Sequence, residues 1–255
     1  SIRPYSSSQR STSTAPTLQR IRSWRSFFVL TMLCQLWLII AILIRCRGVV
    51  SLAVQPKTTG STKTGQQQQL NIAFVTGNEM KVREIEMILA EMGAIDVENP
   101  DKSLVKLRVV NVDLPEIQEV NTEGIAKEKA LLAAQLAGGP ALIEDTSLQF
   151  KSLGGMPGPY IKWFQDRLKS EGLWRILTAY EDKSATAVCT LAFCTAPHAD
   201  PVLFTGTVEG TIVEPIEGRG FGWDSIFVPN GQDLPFSCLS TDEKNQLSHR
   251  GNAVR

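Results

Sequence analysis

The sequence predicts an α/β domain built on a mixed sheet, and three observations predict it. From Leu70 onward, short apolar runs alternate with helical patterns that have one apolar face. Two long strand-like runs, residues 185–194 and 202–213, then follow one another across the turn-rich segment APHADP. Gly, Pro and Asp/Asn clusters close the elements where a strand or helix would have to stop. Strands alternating with helices and then paired with each other give a sheet of mixed direction.

Leu70–Val75 (LNIAFV) predicts a buried strand that runs into Thr76-Gly77-Asn78 and then a helix. In that helix Val82, Ile85, Ile88, Leu89 and Met92 recur at spacings of three and four, and Gly93 ends it. Residues 104–112 alternate like a strand and stop at Asp113-Leu114-Pro115-Glu116. Thr122–Ala137 predicts a second helix, closed by Gly138-Gly139-Pro140. Residues 141–143 predict a short buried strand that ends at Glu144-Asp145-Thr146. The Gly/Pro loop LGGMPGPY leads into residues 161–180, read as two helices broken near Gly172. Residues 221–228 predict a last strand, and Ser240-x-x-Glu243 is the capping-box signature of a final helix.

The 255 residues divide by composition. Residues 1–26 are Ser/Thr-rich and carry Arg3, Arg10, Arg20, Arg22 and Arg25 with no acid. Residues 27–44, FFVLTMLCQLWLIIAILI, hold no charge and would span roughly 27 Å as a helix, enough to cross a bilayer. They read as a signal anchor or as the apolar part of a targeting sequence. A third reading is that the chain, which opens on Ser1, is a piece of a longer one. Residues 45–69 are a polar linker, and 70–255 suit one domain with a sizeable core. With 26 basic and 26 acidic side chains, the chain lacks the basic field of a nucleic-acid-binding protein. Cys34, Cys46, Cys189, Cys194 and Cys238 form no Cys-x-x-Cys pair and are expected as free thiols. A final domain set behind residues 27–44 is expected to face the cytoplasm, membrane-anchored or organelle-targeted.

Five segments could carry chemistry. Thr76-Gly77-Asn78-Glu79-Met80-Lys81 places a tight turn and a lysine at a helix start, the arrangement of an anion site, although Asn78 could equally be a plain N-cap. Glu116, Glu144 and Asp145 lie near strand ends, where hard oxygen ligands suit magnesium. The loop Leu153 to Phe164 fixes a shape and is followed by Lys162 and Trp163. Phe221-Gly222-Trp223-Asp224 offers aromatic faces and a carboxylate to a base, or simply core packing. Lys244 and Ser248 stand four apart on one helix face, with His249 and Arg250 next. His198, in the APHADP turn, reads as a surface residue.

In order along the chain, TGN…K (76–81), DLPE (113–116), EDT (144–146), LGGMPGPYIKWF (153–164), EDKSA (181–185), FGWD (221–224) and EKN…SHR (243–250) resemble the inosine triphosphate pyrophosphatase family over about residues 70–255. The resemblance implies an elongated mixed β-sheet flanked by helices with a cleft between two lobes, as in the Maf/ITPase-like fold. It implies a homodimer that hydrolyses ITP, dITP and XTP to monophosphate and pyrophosphate with magnesium, manganese being an alternative. By the match, Glu116 and Asp145 would hold the metal, and Glu144, Asp145 and Lys81 would do the chemistry. Thr76 to Lys81, Lys127, Asp145, Thr146 and Lys162 would meet the triphosphate. Phe221, Gly222, Trp223, Asp224, Lys244, His249 and Arg250 would frame the nucleotide. A Maf-like pyrophosphatase of other nucleotides and a nucleotide-binding module without turnover are the alternatives. Two departures from the pattern are Ser225, where proline is expected, and Gly251, where an aromatic is common; the closing helix is expected to be short.

Overall fold

The computed structural model describes residues 69–255. The segments 1–26, 27–44 and 45–68, and with them the expected anchor, lie outside the described residues. Among the described residues, no helix is long and apolar enough to cross a membrane.

The element order is β1 (Leu70–Val75), α1 (Glu79–Glu91), β2 (Val105–Val110), α2 (Thr122–Ala137), β3 (Ala141–Phe150), β4 (Pro157–Gly158), α3 (Ile161–Ile176), β5 (Ser184–Cys194), β6 (Val202–Ile212), β7 (Phe227–Pro229), α4 (Thr241–Leu247) and α5 (His249–Val254). They form one seven-stranded mixed sheet in the order β2-β1-β3-β5-β6-β7, with β4 beside β3. β1 runs parallel to β2 and β3, whereas β3, β5, β6 and β7 are antiparallel neighbours.

β3 is longer than the sequence predicts. The apolar run ends at Ile143, but the strand continues through Glu144 and Asp145 to Phe150, paired along its whole length with β5. Its other edge is covered only at its ends. β1 pairs with Ala141 and Leu142, and β4 with Leu148 and Gln149. Between these pairings residues 144–146 border a cleft.

The core divides around that cleft. On one face of the β1 side, Ile72, Phe74, Leu142, Leu191 and Phe193 pack against α1 and α5. On the opposite face, Ala73, Ala141, Ile143 and Ala192 pack against the alanine-rich side of α2. Cys189 and Cys194 fall in these two different clusters, as a five-residue spacing on a strand requires, and both are free thiols. The third cluster, Leu148, Phe150, Leu173, Ile212, Trp223, Phe227 and Phe236, forms the second lobe. Helix α5 sits directly on β6: a Cβ at Gly206 would collide with the backbone of His249 and Ala253.

Three further elements differ from expectation. The break in α3 falls at Lys169 (φ 56°, ψ −179°), three residues before Gly172. Residues 221–226 are a turn and a short 3-10 helix rather than a strand, because Gly220 and Gly222 take positive φ values of 93° and 63°. The final helix is two: Ser248 is extended (φ −72°, ψ 156°), closes α4 and caps α5 through the Gly251 amide. The capping box of Ser240 and Glu243 is present. A side chain at Gly251 would collide with the Asn245 carbonyl, which accounts for the missing aromatic there. The Ser225 carbonyl accepts from the Ile216 amide at 2.9 Å; its side chain has no evident role.

Candidate active site

The cleft holds a cavity of about 630 Å³ bordered by the open edge of β3, the β1–α1 turn, the start of α3, the 221–224 loop and the start of α5. Thr76, Gly77, Asn78, Glu79, Met80, Lys81, Glu116, Glu144, Asp145, Thr146, Lys162, Phe221, Gly222, Trp223, Asp224, His249 and Arg250 all line it.

Successive strand residues face opposite ways, so Glu144 points to the α1/α5 face and Asp145 to the α2 face. On its face, Glu144 is gripped by Arg250, whose Nε and second terminal nitrogen each donate to a carboxylate oxygen at 2.8 Å. Lys81 Nζ is 3.2 Å from Glu144 Oε1, and the Thr146 hydroxyl donates to the same oxygen at 2.8 Å. Arg250 also bonds Glu84 from α1; Glu84 accepts from Lys244 at 2.8 Å, and Lys244 donates to Asp224 at 2.6 Å. The result is one buried chain of alternating sign: Lys81, Glu144, Arg250, Glu84, Lys244, Asp224. Burial raises the Glu144 carboxyl, but the opposing Arg250 and Lys81 charges hold it well below the usual range. Burial wins at Asp224, whose carboxyl is raised despite Lys244.

On the other face, Lys129 from α2 donates to Glu116 at 2.7 Å and to Asp145 Oδ1 at 3.3 Å. Burial raises the Asp145 carboxyl, and its Oδ2 is buried without a partner. Glu116, burial notwithstanding, is lowered by Lys129. Among the described residues no group of three or more His, Cys, Asp or Glu side chains converges as a metal centre. Two carboxylates suffice, however, for a hard divalent cation that takes its remaining ligands from water and phosphate. Glu116 and Asp145 fit that donor set: they already share one cationic group, and Asp145 has an oxygen to spare.

The far end of the cavity is aromatic. Trp223 stacks on the His249 ring at 5.2 Å between centroids, and Phe227 and Phe236 pack behind. Both His249 ring nitrogens lack partners, and burial together with the Arg250 charge keeps its pKa well below the ordinary value, so the imidazole is neutral. Phe221 lies over Lys244 (4.9 Å) and Arg250 (5.7 Å).

Two sequence-predicted residues are placed elsewhere. Lys127 is exposed on α2 and outside the cavity; Lys129 takes the position instead. The signal was in the helix: Thr122, Ile125, Ala126 and Ala130 define the buried face, which Lys129 shares and Lys127 does not. Lys244 lies beneath the cavity lining, as a support for Asp224 and Phe221. In the β1–α1 turn, which lines the cavity, the Asn78 side chain caps the Met80 and Lys81 amides at 3.0 and 3.3 Å, the N-cap reading of that residue. Glu84 and Gln165 were not anticipated. A glutamate on an apolar helix face, beside Val82 and Ile85, was the available sign of the first.

Residues 72–255 match the Ham1 family profile. The chain is 43% identical over 185 residues to the inosine triphosphate pyrophosphatase of Puccinia graminis f. sp. tritici, covering 72% of this chain and 93% of that protein. It is 45% identical over 186 residues to the inosine triphosphate pyrophosphatase of Yarrowia lipolytica, covering 72% and 92% respectively. Among solved structures, a HAM1 protein from Coxiella burnetii superposes with a TM-score of 0.60 at 28% identity, over 73% of this chain and 95% of that one. The chain therefore belongs to the Ham1 family.

Proposed function

We propose that this chain hydrolyses the non-canonical purine nucleoside triphosphates ITP, dITP and XTP to monophosphate and pyrophosphate, removing them from the nucleotide pool. The observation that carries the reading is the polarity of the cavity: cations and carboxylates gather at the β3 edge, and an aromatic slot with a neutral imidazole lies at the other end. A triphosphate and a purine fit those two ends in that order. The two fungal relatives are named for the same activity.

Lys81, Lys129 and Lys162 meet the triphosphate charge, with the Gly77 turn beneath it. Glu116 and Asp145 are the residues that would hold a divalent metal, Mg²⁺ foremost and Mn²⁺ as a substitute; when bound, it supplies further neutralisation of phosphate charge. Water attacks the α-phosphorus, the bond from that phosphorus to the β-bridging oxygen breaks, and pyrophosphate leaves. Of the two acids on β3, Asp145, whose carboxyl burial raises, is the better base and accepts the proton from the attacking water. Glu144 is held ionised by Arg250 and Lys81 and is a poor base, so its part is to fix Lys81 and Arg250. Positioning and charge complementarity do most of the work.

Discrimination against adenine follows from His249. A neutral imidazole has one N–H to give, and the 6-oxo group of hypoxanthine or xanthine accepts it. Adenine presents an amino donor at that position and leaves a buried donor unpaired, which discriminates by ~10⁴-fold or more. The chain acts as a homodimer; exposed apolar side chains on and after β2, Val109, Val112, Ile117 and Val120, support this. Residues 27–44 tether the catalytic domain on the cytoplasmic side of a membrane or route it to an organelle, a reading that rests on their composition.

The test is hydrolysis of ITP by the full chain in ¹⁸O-enriched water with Mg²⁺. The expected products are pyrophosphate without label and IMP carrying one labelled oxygen. Orthophosphate release, or label in pyrophosphate, would overturn the assignment of the attacked phosphorus.

A further inference from the structure

The loop that carries Phe221 and Trp223 is held from two sides. On the inside, Asp224 accepts from the Phe221 amide at 2.8 Å and from Lys244. On the outside, the Gly222 carbonyl accepts two hydrogen bonds, from the Gln165 side-chain amide at 2.9 Å and from the Ser170 hydroxyl at 3.1 Å. Gln165 also reaches the Ser170 hydroxyl at 3.3 Å. A carbonyl has two lone pairs, so these two donors saturate it.

Both donors come from α3, on either side of its break. Lys169 there has φ 56° and ψ −179°, a region that is essentially reserved for glycine. Such a conformation persists only where surrounding contacts over-determine it, and the residue directly after it is Ser170, one of the two donors. Gly222 is the pivot of the loop, with φ 63° and an aromatic residue on each side. The same helix presents Lys162 to the cavity one turn before Gln165, and Gln165 itself lines the cavity. One rigid element therefore borders both the anionic end and the base-facing loop.

We propose that Gln165 and Ser170 are positioning residues for base recognition: their paired bonds to the Gly222 carbonyl fix the aromatic slot formed by Phe221 and Trp223. Neither touches the reacting phosphorus, so their loss acts on nucleotide binding and base choice rather than on bond cleavage. The inference rests on the purine triphosphate reading of the cavity for its kinetic consequence, though the clamp can be examined without it.

The test compares the full-length wild type with Gln165→Leu, Ser170→Ala, the double variant and Ser170→Thr, which keeps the hydroxyl. In the double variant KM for ITP rises about 10-fold, kcat stays within about 2-fold, and the preference for ITP over ATP narrows, the scale set by two modest hydrogen bonds. Ser170→Thr retains the wild-type KM. Amide hydrogen exchange of residues 221–224, followed in the nucleotide-free protein, accelerates in the double variant. Unchanged KM with unchanged exchange, or a fall confined to kcat, overturns the proposal. If the wild type fails to cleave ITP, the functional reading fails, and the exchange experiment alone still decides whether the clamp exists.

Discussion

Arg250 holds Glu144 with two parallel hydrogen bonds of 2.8 Å and reaches Glu84 on α1 with its remaining terminal nitrogen. One guanidinium thus joins α5 to β3 and to α1. Arg250 is 2% exposed, so truncating it leaves Glu144 with Lys81 alone and Glu84, buried, with Lys244 alone. Arg250→Ala should lower stability by about 3–5 kcal/mol, read as a shift in urea midpoint. Arg250→Lys keeps the charge but not the fork and should recover only part of that loss. Equal midpoints for wild type and Arg250→Ala would show that the chain of alternating charges contributes nothing.

Lys129 and Lys127 provide a paired comparison on one helix. Lys129 bridges Glu116 and Asp145 at the cavity wall, whereas Lys127 is exposed. Lys129→Ala should reduce kcat/KM for ITP by about 100-fold, the usual scale for one charge-stabilising group. Lys127→Ala should stay within about 2-fold of wild type, since a solvated surface cation contributes little. A larger loss at position 127 than at 129 would return the site to the residue first suggested by the sequence.

That exchange of one lysine for another illustrates what could be read in advance. The α/β class, both long helices before β3 and the paired strands β5 and β6 follow from periodicity, which depends on near neighbours. The end of β3 does not. An apolar run that meets Glu144 and Asp145 looks finished, and the strand continues only because Lys81, Arg250 and Lys129 arrive from three helices to compensate the acids. Glu84 and Arg250 are separated by 166 positions, and no local pattern announces such a pair. The split of the last helix at Ser248 was hidden for a different reason: Ser248 suits both a C-terminal stop and an N-cap, and the choice is made by the packing of α5 on Gly206. Most of the cavity residues were still legible, because turns, acids and aromatics recur in a specific order. Those missed are Lys129, two positions from the lysine the resemblance implied, and Glu84 and Gln165, whose partners lie far along the chain.

Asp145 is assigned the proton of the attacking water, and its Oδ2 has no partner in the fold. Asp145→Asn preserves shape but cannot accept that proton and weakens the donor set shared with Glu116. Turnover should fall by about 10²–10⁴-fold, with KM changing far less. Chelation of divalent ions with EDTA should abolish turnover of the wild type, and added Mg²⁺ should restore it. Full activity in Asp145→Asn would remove this residue from the chemistry.

His249 makes the fold sensitive to mild acid. Its ordinary pKa is near 6.5, and burial beside Arg250 holds it well below that in the folded chain. Between the folded and unfolded values the unfolded chain carries the extra proton. The stabilisation is therefore complete above pH 6.5 and is lost as pH falls below it, at up to about 1.4 kcal/mol per pH unit. His249→Phe should flatten the difference between pH 6.5 and pH 5 in urea unfolding. An identical slope in wild type and variant would mean that the imidazole is not held neutral.

We propose that one cavity reads a triphosphate at the β3 edge and a 6-oxo purine at His249, a division of labour open to direct test. It is tested most directly by pyrophosphate release from ITP, XTP, dITP, ATP, GTP and CTP by the full chain with Mg²⁺, compared as kcat/KM. Efficient release is expected from ITP, XTP and dITP, with ATP poorer by ~10⁴-fold or more, because adenine leaves the imidazole donor unpaired. Comparable rates for ATP and ITP, or a preference for CTP, would contradict it.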